Sequence, residues 1–189
     1  MKDSLLIIAA IAAAIVILLH LARRFRAPVT HRWRRRQARA MCAELRGQDR
    51  DQPCVLIYAR LRAMDPLAFG ELTEAFARRG HHVVHSARYS GDGGVDGEVV
   101  IGGERVLLQM KRYRSAIRPE HVREFATICR ARQARGLFTH AGRTGDASRA
   151  AIADTPQVEI VSGDRLIDLL TGRPFVHRRY CPPTGRSRP

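Results

Sequence analysis

The sequence predicts one α/β domain, a mixed central sheet flanked by helices, preceded by one N-terminal transmembrane helix. Three observations predict this fold class. Residues 5–19 are all apolar. Apolar side chains recur at helical spacing within 69–76 and 122–129. Short strand-like runs lie between these helices and are separated by glycine turns. With its ends set aside, a chain of 189 residues has room for one domain with a hydrophobic core.

The N-terminal segment 4–22 has the composition of a membrane anchor, and its length is about the minimum that spans hydrocarbon. The segment 23–39 carries eight arginines and no acid. We therefore expect the N-terminus outside and the bulk of the chain on the cytoplasmic side of a bacterial inner membrane. A cleaved signal peptide is the alternative, but a small-x-small cleavage site is poor here. The arginines either contact DNA or, as is better supported, set the topology and bind anionic membrane lipid.

The rest of the chain divides into three segments. Residues 23–64 are predicted to be a basic juxtamembrane segment and linker, in which 40–64 is a linker or an added helical segment without an assigned role. Residues 65–171 form the predicted globular domain. Residues 172–189 are rich in proline and arginine, and we expect them to be a disordered basic tail.

The globular domain is predicted to follow the order α-β-β-β-α-β-α-β-α, which gives a mixed sheet with helices on both faces. Asp65 and Pro66 are typical of a helix N-cap and first turn, and Gly80 ends that helix. The later predicted elements are a strand at 82–85, a glycine-rich loop at 90–94, two strands joined by Gly102-Gly103, helices at 119–132, 146–153 and 164–170, and strands at 136–139 and 158–161.

The charge composition favours a polyanionic partner. The chain has 33 basic and 18 acidic residues, a net charge of +15, which attracts nucleic acid or an acidic lipid surface. Only two of the basic residues, Lys2 and Lys111, are lysines. The four cysteines lack the paired spacing of a zinc site, which favours a reducing cytoplasm. Lys111 is thus an exception among arginines that requires an explanation.

The hairpin around Gly102-Gly103 brings together residues of catalytic type. If these glycines form a two-residue turn, paired residues have numbers summing to 205, and Asp96 lies opposite Gln109. Gln109 and Lys111 are two residues apart, so strand alternation places both on that face. One acid, one amide and one amine are expected to converge.

This set suits magnesium, which prefers hard oxygen ligands and keeps several waters. Asp96 would be the anionic ligand, Gln109 would offer its amide oxygen and Met110 its backbone carbonyl. Manganese is the alternative ion. Lys111 would lower the pKa of the attacking water or neutralise charge on the scissile phosphate. Spacing alone leaves a second interpretation open, in which these are an ordinary turn residue, strand residue and surface residue.

Several motifs in order resemble the PD-(D/E)xK restriction-endonuclease-like superfamily, and specifically the catalytic domain of Mrr-type restriction endonucleases. The matching pieces are the helix at 69–80, the acidic glycine loop at 90–96, the Q-x-K strand at 109–113, the strand and its exit at 136–139 and 142–143, and the closing turn at 162–166. The resemblance implies magnesium-dependent hydrolysis of DNA phosphodiester bonds through Asp96, Gln109 and Lys111.

The opening helix departs from the family pattern. The family commonly places a glutamate directly after the helix phenylalanine, where this chain has Gly70. Glu71 follows, but one residue on a helix is about 100° of rotation, so Glu71 need not point at the site. Glu71 and Glu74 are both candidates for a further acidic ligand.

We expect DNA to be held by arginines around the site, through phosphate contacts that do not read sequence. The candidates are Arg88, Arg112, Arg114, Arg118 and Arg143. The predicted function is a membrane-anchored endonuclease directed at foreign or modified DNA, with a homodimer as a further possibility. The alternatives are an inactive nuclease-fold module that tethers DNA or a partner, and a structure-selective nuclease resembling junction resolvases.

Overall fold

The computed structural model describes residues 29–47, 53–85 and 94–175, together with Ile15. The chain divides into two compact units, Met1–Trp33 and Arg34–Pro189. Apart from Ile15, the predicted anchor at 4–22 lies outside the described residues, as does most of the predicted tail. Among the helices that the structure describes, none is long and apolar enough to cross a bilayer. The transmembrane helix therefore stays a prediction.

The second unit has the predicted mixed α/β architecture, and from residue 65 onward the predicted order of elements is confirmed. The helices are α1 (Val29–Gly47), α2 (Cys54–Ala63), α3 (Pro66–Gly70), α4 (Glu74–Ala77), α5 (Pro119–Ala131), α6 (Asp146–Ala153) and α7 (Asp164–Thr171). The strands are β1 (Val83–His85), β2 (Gly97–Ile101), β3 (Glu104–Lys111), β4 (Arg135–His140) and β5 (Val158–Val161).

The opening helix is less regular than predicted. Asp65 caps it as expected, accepting hydrogen bonds from the backbone amides of Leu67 and Ala68 at 3.0 Å. A 3-10 turn, Glu71–Thr73, then separates α3 from α4. A 3-10 stretch inside a helix often marks a functional or strained position. Gly80, with a φ of +83°, follows the last turn.

The five strands form one sheet in the order β1-β2-β3-β4-β5. The pairs β1-β2 and β2-β3 are antiparallel, whereas β3-β4 and β4-β5 are parallel. The parallel strands are connected through α5 and α6, as parallel neighbours require. The carboxyl ends of β3 and β4 therefore lie side by side, where open α/β sheets commonly bind ligands.

Both faces of the sheet are covered by apolar packing. On one face Val106, Leu108 and Met110 of β3 pack against α1, α2, the opening helix and α7. On the other face Leu107 and Phe138 pack against α5. Because β3 alternates between the two cores, Gln109 and Lys111 belong to the α5 side of the sheet.

The segment around α1 and α2 contributes to the core of the domain. Ala38, Cys42 and Leu45 of α1 are at most 2% exposed and belong to the same cluster as the opening helix. Burial raises the pKa of the Cys42 thiol to about 12. Ile57 and Leu61 of α2 are buried in that cluster too. The stretch that had no role in the sequence therefore forms part of the fold from Arg34 onward.

Candidate active site

The hairpin of β2 and β3 has the predicted register. Val99 pairs with Val106 and Ile101 with Glu104, so paired numbers sum to 205. Gly102 and Gly103 have φ angles of 59° and 84°. Positive φ at both central residues is what a type I′ hairpin turn requires, and glycine meets it without strain. The turn thus fixes which residue of β2 approaches which residue of β3.

Asp96 lies one residue beyond the last paired residues of this hairpin, Gly97 and Leu108, so the predicted pair of Asp96 with Gln109 is not part of the ladder. Its backbone amide donates to the Leu108 carbonyl at 2.8 Å. Its side-chain Oδ2 accepts a hydrogen bond from the backbone amide of Met110 at 2.6 Å. The carboxylate therefore replaces the backbone acceptor that a longer β2 would offer, and this contact fixes it at the end of the strand.

Gln109 is buried beside the same loop, with only 5% of its surface exposed. Its Nε2 donates to the Gly94 carbonyl at 2.6 Å. Its Oε1 is buried and has no hydrogen-bond partner among the described residues. A Cβ at Gly94 would lie 2.8 Å from Gln109 Nε2, so a glycine is needed for this close approach. The amide oxygen is thus a buried acceptor with its bonding capacity unused.

The oxygen atoms at this end of the hairpin are of the kind that binds a divalent cation. Gln109 belongs to the α5 side of the sheet, whereas the Asp96 carboxylate contacts the Met110 amide and faces Gly70 of the opening helix. In a strand the amide and carbonyl of one residue point to the same neighbour. The Met110 carbonyl therefore lies on the Asp96 side, as its amide does. A carboxylate, a buried amide oxygen and a backbone carbonyl are the hard ligands that magnesium takes. The described residues contain no group of three His, Cys, Asp or Glu side chains that could hold a metal. Waters and substrate oxygens would have to complete the coordination.

Lys111 is at the last position of β3 and is partly buried. It pairs in register with His140 at the end of β4. Within the described part of the chain its ammonium forms no ion pair. Its charge is thus available to an anion at the carboxyl ends of the two parallel strands.

His140 was not singled out in the sequence, and the structure places it beside Lys111. Its side chain is fully buried, and burial lowers the pKa of its imidazole to about 4. Its Nε2 lies 3.2 Å from the Thr144 hydroxyl. A neutral imidazole next to Lys111 leaves the positive charge of this strand pair on the lysine. No sequence pattern marks this histidine, because the contact depends on the register of β3 and β4.

The two glutamates considered as further ligands are engaged elsewhere. A Cβ at Gly70 would lie 3.0 Å from Asp96 Oδ1, so it is position 70 that faces Asp96. Glu71 forms an ion pair with Arg35 at 3.2 Å, and Glu74 forms one with Arg39 at 3.3 Å. The acid-bearing positions of the opening helix thus contact α1.

The predicted DNA-binding arginines fall into three groups. Arg88 lies outside the described residues. Arg112 is partly buried, and its Nη1 donates to the backbone carbonyls of Arg62 and Met64 at 2.8 and 3.0 Å, which satisfies the end of α2. Arg114, Arg118 and Arg143 are exposed. They lie on two adjacent segments joined by a bridge between Ala116 and Arg143.

A mixed sheet flanked by helices, with an acid before one strand and Q-x-K on the next, defines a nuclease of the restriction-endonuclease-like class. The chain belongs to the Mrr-type restriction endonuclease family, whose catalytic-domain model matches residues 61–170, more than half of the 189 residues. No curated protein and no solved structure matches the chain. Membership implies DNA as the substrate, and restriction endonuclease domains generally use divalent metal ions such as magnesium.

Proposed function

We propose that this protein is a magnesium-dependent DNA endonuclease in which Asp96, Gln109 and Lys111 carry the reaction. The observation that carries the proposal is the buried, unpartnered Oε1 of Gln109, which lies on the strand next to the fixed carboxylate of Asp96. A buried acceptor without a donor is costly, and a cation would satisfy it. Family membership supplies the substrate class.

The metal would be held by the Asp96 carboxylate, the Gln109 amide oxygen and the Met110 carbonyl, with manganese as the alternative to magnesium. When bound, it would supply Lewis acidity towards a phosphate oxygen and the attacking water. The hydrogen bond from the Met110 amide to Asp96 keeps that carboxylate oriented. The contact from Gln109 Nε2 to Gly94 orients the amide so that its oxygen is the free end.

Lys111 acts on the phosphate. In hydrolysis the water oxygen bonds to phosphorus and releases a proton to solvent, the bond from phosphorus to the leaving sugar oxygen breaks, and that oxygen takes a proton from solvent. Negative charge builds on the phosphate oxygens during this exchange, and the Lys111 ammonium neutralises it. A compact ammonium that rotates and exchanges protons differs from guanidinium in these respects. Buried His140 is neutral and adds no competing charge.

The exposed arginines at the same end of the sheet position the DNA. Arg114, Arg118 and Arg143 follow β3 and β4, beyond Lys111. Contacts of arginine with phosphate fix register and orientation without reading bases. Arg112 is less suited to this function because its guanidinium binds the end of α2.

Under the same proposal the nuclease is tethered to the bacterial inner membrane and acts on foreign or modified DNA from the cytoplasmic side. The apolar run at 5–19 and the arginines that follow it support the tether. Arginines of this flank would contact anionic lipid headgroups. A homodimer would place two such sites on opposite strands of a duplex.

A second candidate is a nuclease-fold module that holds DNA at the membrane and cuts it weakly or not at all. Position 70 faces Asp96 but carries no side chain, and the neighbouring carboxylates of Glu71 and Glu74 are paired with arginines of α1. In this arrangement Asp96 would supply the carboxylate ligand of the metal. A single acidic ligand favours low metal affinity.

The test is cleavage of supercoiled plasmid by the full-length chain with magnesium, beside Asp96→Asn and Lys111→Arg. Asparagine keeps an acceptor for the Met110 amide and removes the charge, so the fold is retained. Each variant should lower the cleavage rate by about 100-fold or more. Asp154→Asn and Arg123→Lys are matched controls, one at an exposed aspartate and one at an exposed cation outside the proposed DNA-binding set. Cutting that survives in Asp96→Asn would refute the site, and metal-dependent DNA binding without any cutting would favour the second candidate.

A further inference from the structure

Three arginines of α1 contact three acids of the opening helix. The distances are 3.4 Å from Arg34 Nε to Asp65 Oδ1, 3.2 Å from Arg35 Nε to Glu71 Oε2, and 3.3 Å from Arg39 Nε to Glu74 Oε2. The sequence suggested DNA contact, a topology signal or a lipid contact for these charges. In the structure they connect α1 to the helix that lies against the hairpin.

The pair of Arg35 and Glu71 is the most buried of the three. The Glu71 side chain is 7% exposed and that of Arg35 is 31% exposed, and the Arg35 Nε–H donates to Oε2. A carboxylate removed from water is stable only when it is paired or hydrogen-bonded. Arg35 therefore contributes directly to keeping Glu71 buried at this position.

Glu71 occupies the point at which the opening helix becomes irregular. It is the first residue of the 3-10 turn Glu71–Thr73 and directly follows Gly70. The backbone of Gly70 approaches Asp96 so closely that an added Cβ would lie 3.0 Å from Asp96 Oδ1. Any displacement of this turn would therefore move the surface against which the Asp96 carboxylate rests.

We propose that Arg35 is a positioning residue of the nuclease site. Through its ion pair with Glu71 it fixes the 3-10 turn, and the turn fixes Gly70 behind Asp96. Arg35 does not itself touch the substrate or the metal. The proposal rests on the proposed function. It gives the arginine-rich segment that follows the predicted anchor a role in positioning the active site.

The test compares Arg35→Gln with Arg36→Gln in the full-length chain. Arg36 is the next residue on α1, is exposed, and has no ion pair or hydrogen bond with its side chain in the described part of the chain. At a temperature where both variants are folded, we expect Arg35→Gln to cut plasmid about tenfold more slowly and to need more magnesium for half-maximal rate. Affinity for DNA without metal should be unchanged, which separates positioning from phosphate contact. Arg35→Lys keeps the charge and should recover part of the rate.

Hydrogen exchange of the amides at 70–73 provides a readout that needs neither metal nor DNA. These amides should exchange faster in Arg35→Gln than in Arg36→Gln. If Arg35→Gln does not fold, the double variant Arg35→Gln and Glu71→Gln, which removes both charges of this pair, replaces it. Identical cleavage, magnesium requirement and exchange in the Arg35 and Arg36 variants would overturn the proposal. A wild-type chain that never cuts would instead refute the proposed function, and the exchange comparison would still decide on Arg35.

Discussion

Two regions of the chain serve the same domain in different ways. One is residues 61–170, which match the family model, and the other is residues 34–60, which precede the match. The matched region holds Asp96, Gln109 and Lys111 on one hairpin. The preceding region holds no candidate catalytic residue, yet Ala38, Cys42 and Leu45 are among the most deeply buried side chains of the domain. Its arginines also pair with the acids of the opening helix.

This difference shows that the chemical unit and the folding unit have different boundaries. Motifs identify the residues that face substrate, because those residues are of special type and spacing. The core that holds them is completed by ordinary apolar residues outside the motifs. A boundary drawn at the start of the family match would therefore divide a single hydrophobic cluster.

Removing α1 and α2 is the most severe way to test this boundary. A chain that starts at residue 61 loses the buried Ala38, Cys42, Leu45 and Ile57. Burying one leucine or isoleucine is worth roughly 1.5–3 kcal/mol, and the whole stability of a domain is roughly 5–15 kcal/mol. We expect the shortened chain to lose its cooperative thermal transition in circular dichroism, whereas a chain starting at Val29 retains it. Equal melting curves for the two would contradict a shared core.

Local features of the fold were predictable, and distant contacts were not. The hairpin register followed from Gly102 and Gly103, because a two-residue turn sets the pairs that follow it, here as far as Gly97 and Leu108. The cap at Asp65 followed from its neighbour Pro66. The 3-10 turn in the opening helix was missed, since the apolar spacing of residues 69–76 does not distinguish it from a continuous α-helix.

The residues of the candidate site could be named from the sequence, whereas its geometry could not. Asp96, Gln109 and Lys111 were singled out because a rare lysine follows a glutamine at strand spacing, and they stay a prediction. The Asp96 contact with the Met110 amide was not foreseen, because it requires β2 to end one residue early. The pairing of Arg35 with Glu71 was also missed, since partners 36 residues apart leave no local pattern.

Acid should weaken the matched region through His140. The folded chain keeps this buried imidazole neutral because its pKa is lowered to about 4, whereas an unfolded histidine takes up a proton near pH 6.5. Between these values the unfolded state binds more protons, so stability falls as the pH falls from about 6.5 to about 4, by roughly 3 kcal/mol at most. Urea unfolding across this range should show a smaller loss for His140→Gln than for wild type.

The control for this measurement is His82→Gln, at an exposed histidine. Its stability should follow wild type at every pH. If His140→Gln lost stability in acid as steeply as wild type, another group would be responsible for the acid sensitivity.

A smaller effect is expected where the opening helix meets Asp96. In Gly70→Ala the new Cβ would lie 3.0 Å from Asp96 Oδ1, so either the carboxylate or the helix must move by a few tenths of an ångström. Displacing a group of this kind costs about tenfold in rate. Gly145→Ala is the matched control, because a Cβ there meets nothing within 4 Å. Equal plasmid cleavage by the two variants would mean that the site accommodates a methyl group at position 70 beside Asp96 without loss of activity.

The ion pair between Arg39 and Glu74 should have the smallest effect on stability and on cleavage. The Arg39 side chain is 56% exposed, whereas that of Arg35 is 31% exposed. An exposed pair is worth about 0.2–1 kcal/mol and weakens as salt is added, because ions screen it. Arg39→Gln should therefore lower the midpoint of urea unfolding slightly at low salt and not at high salt, with plasmid cleavage unchanged. A loss as large as that of Arg35→Gln would show that all three pairs hold the opening helix equally, and that burial of Glu71 does not single out Arg35.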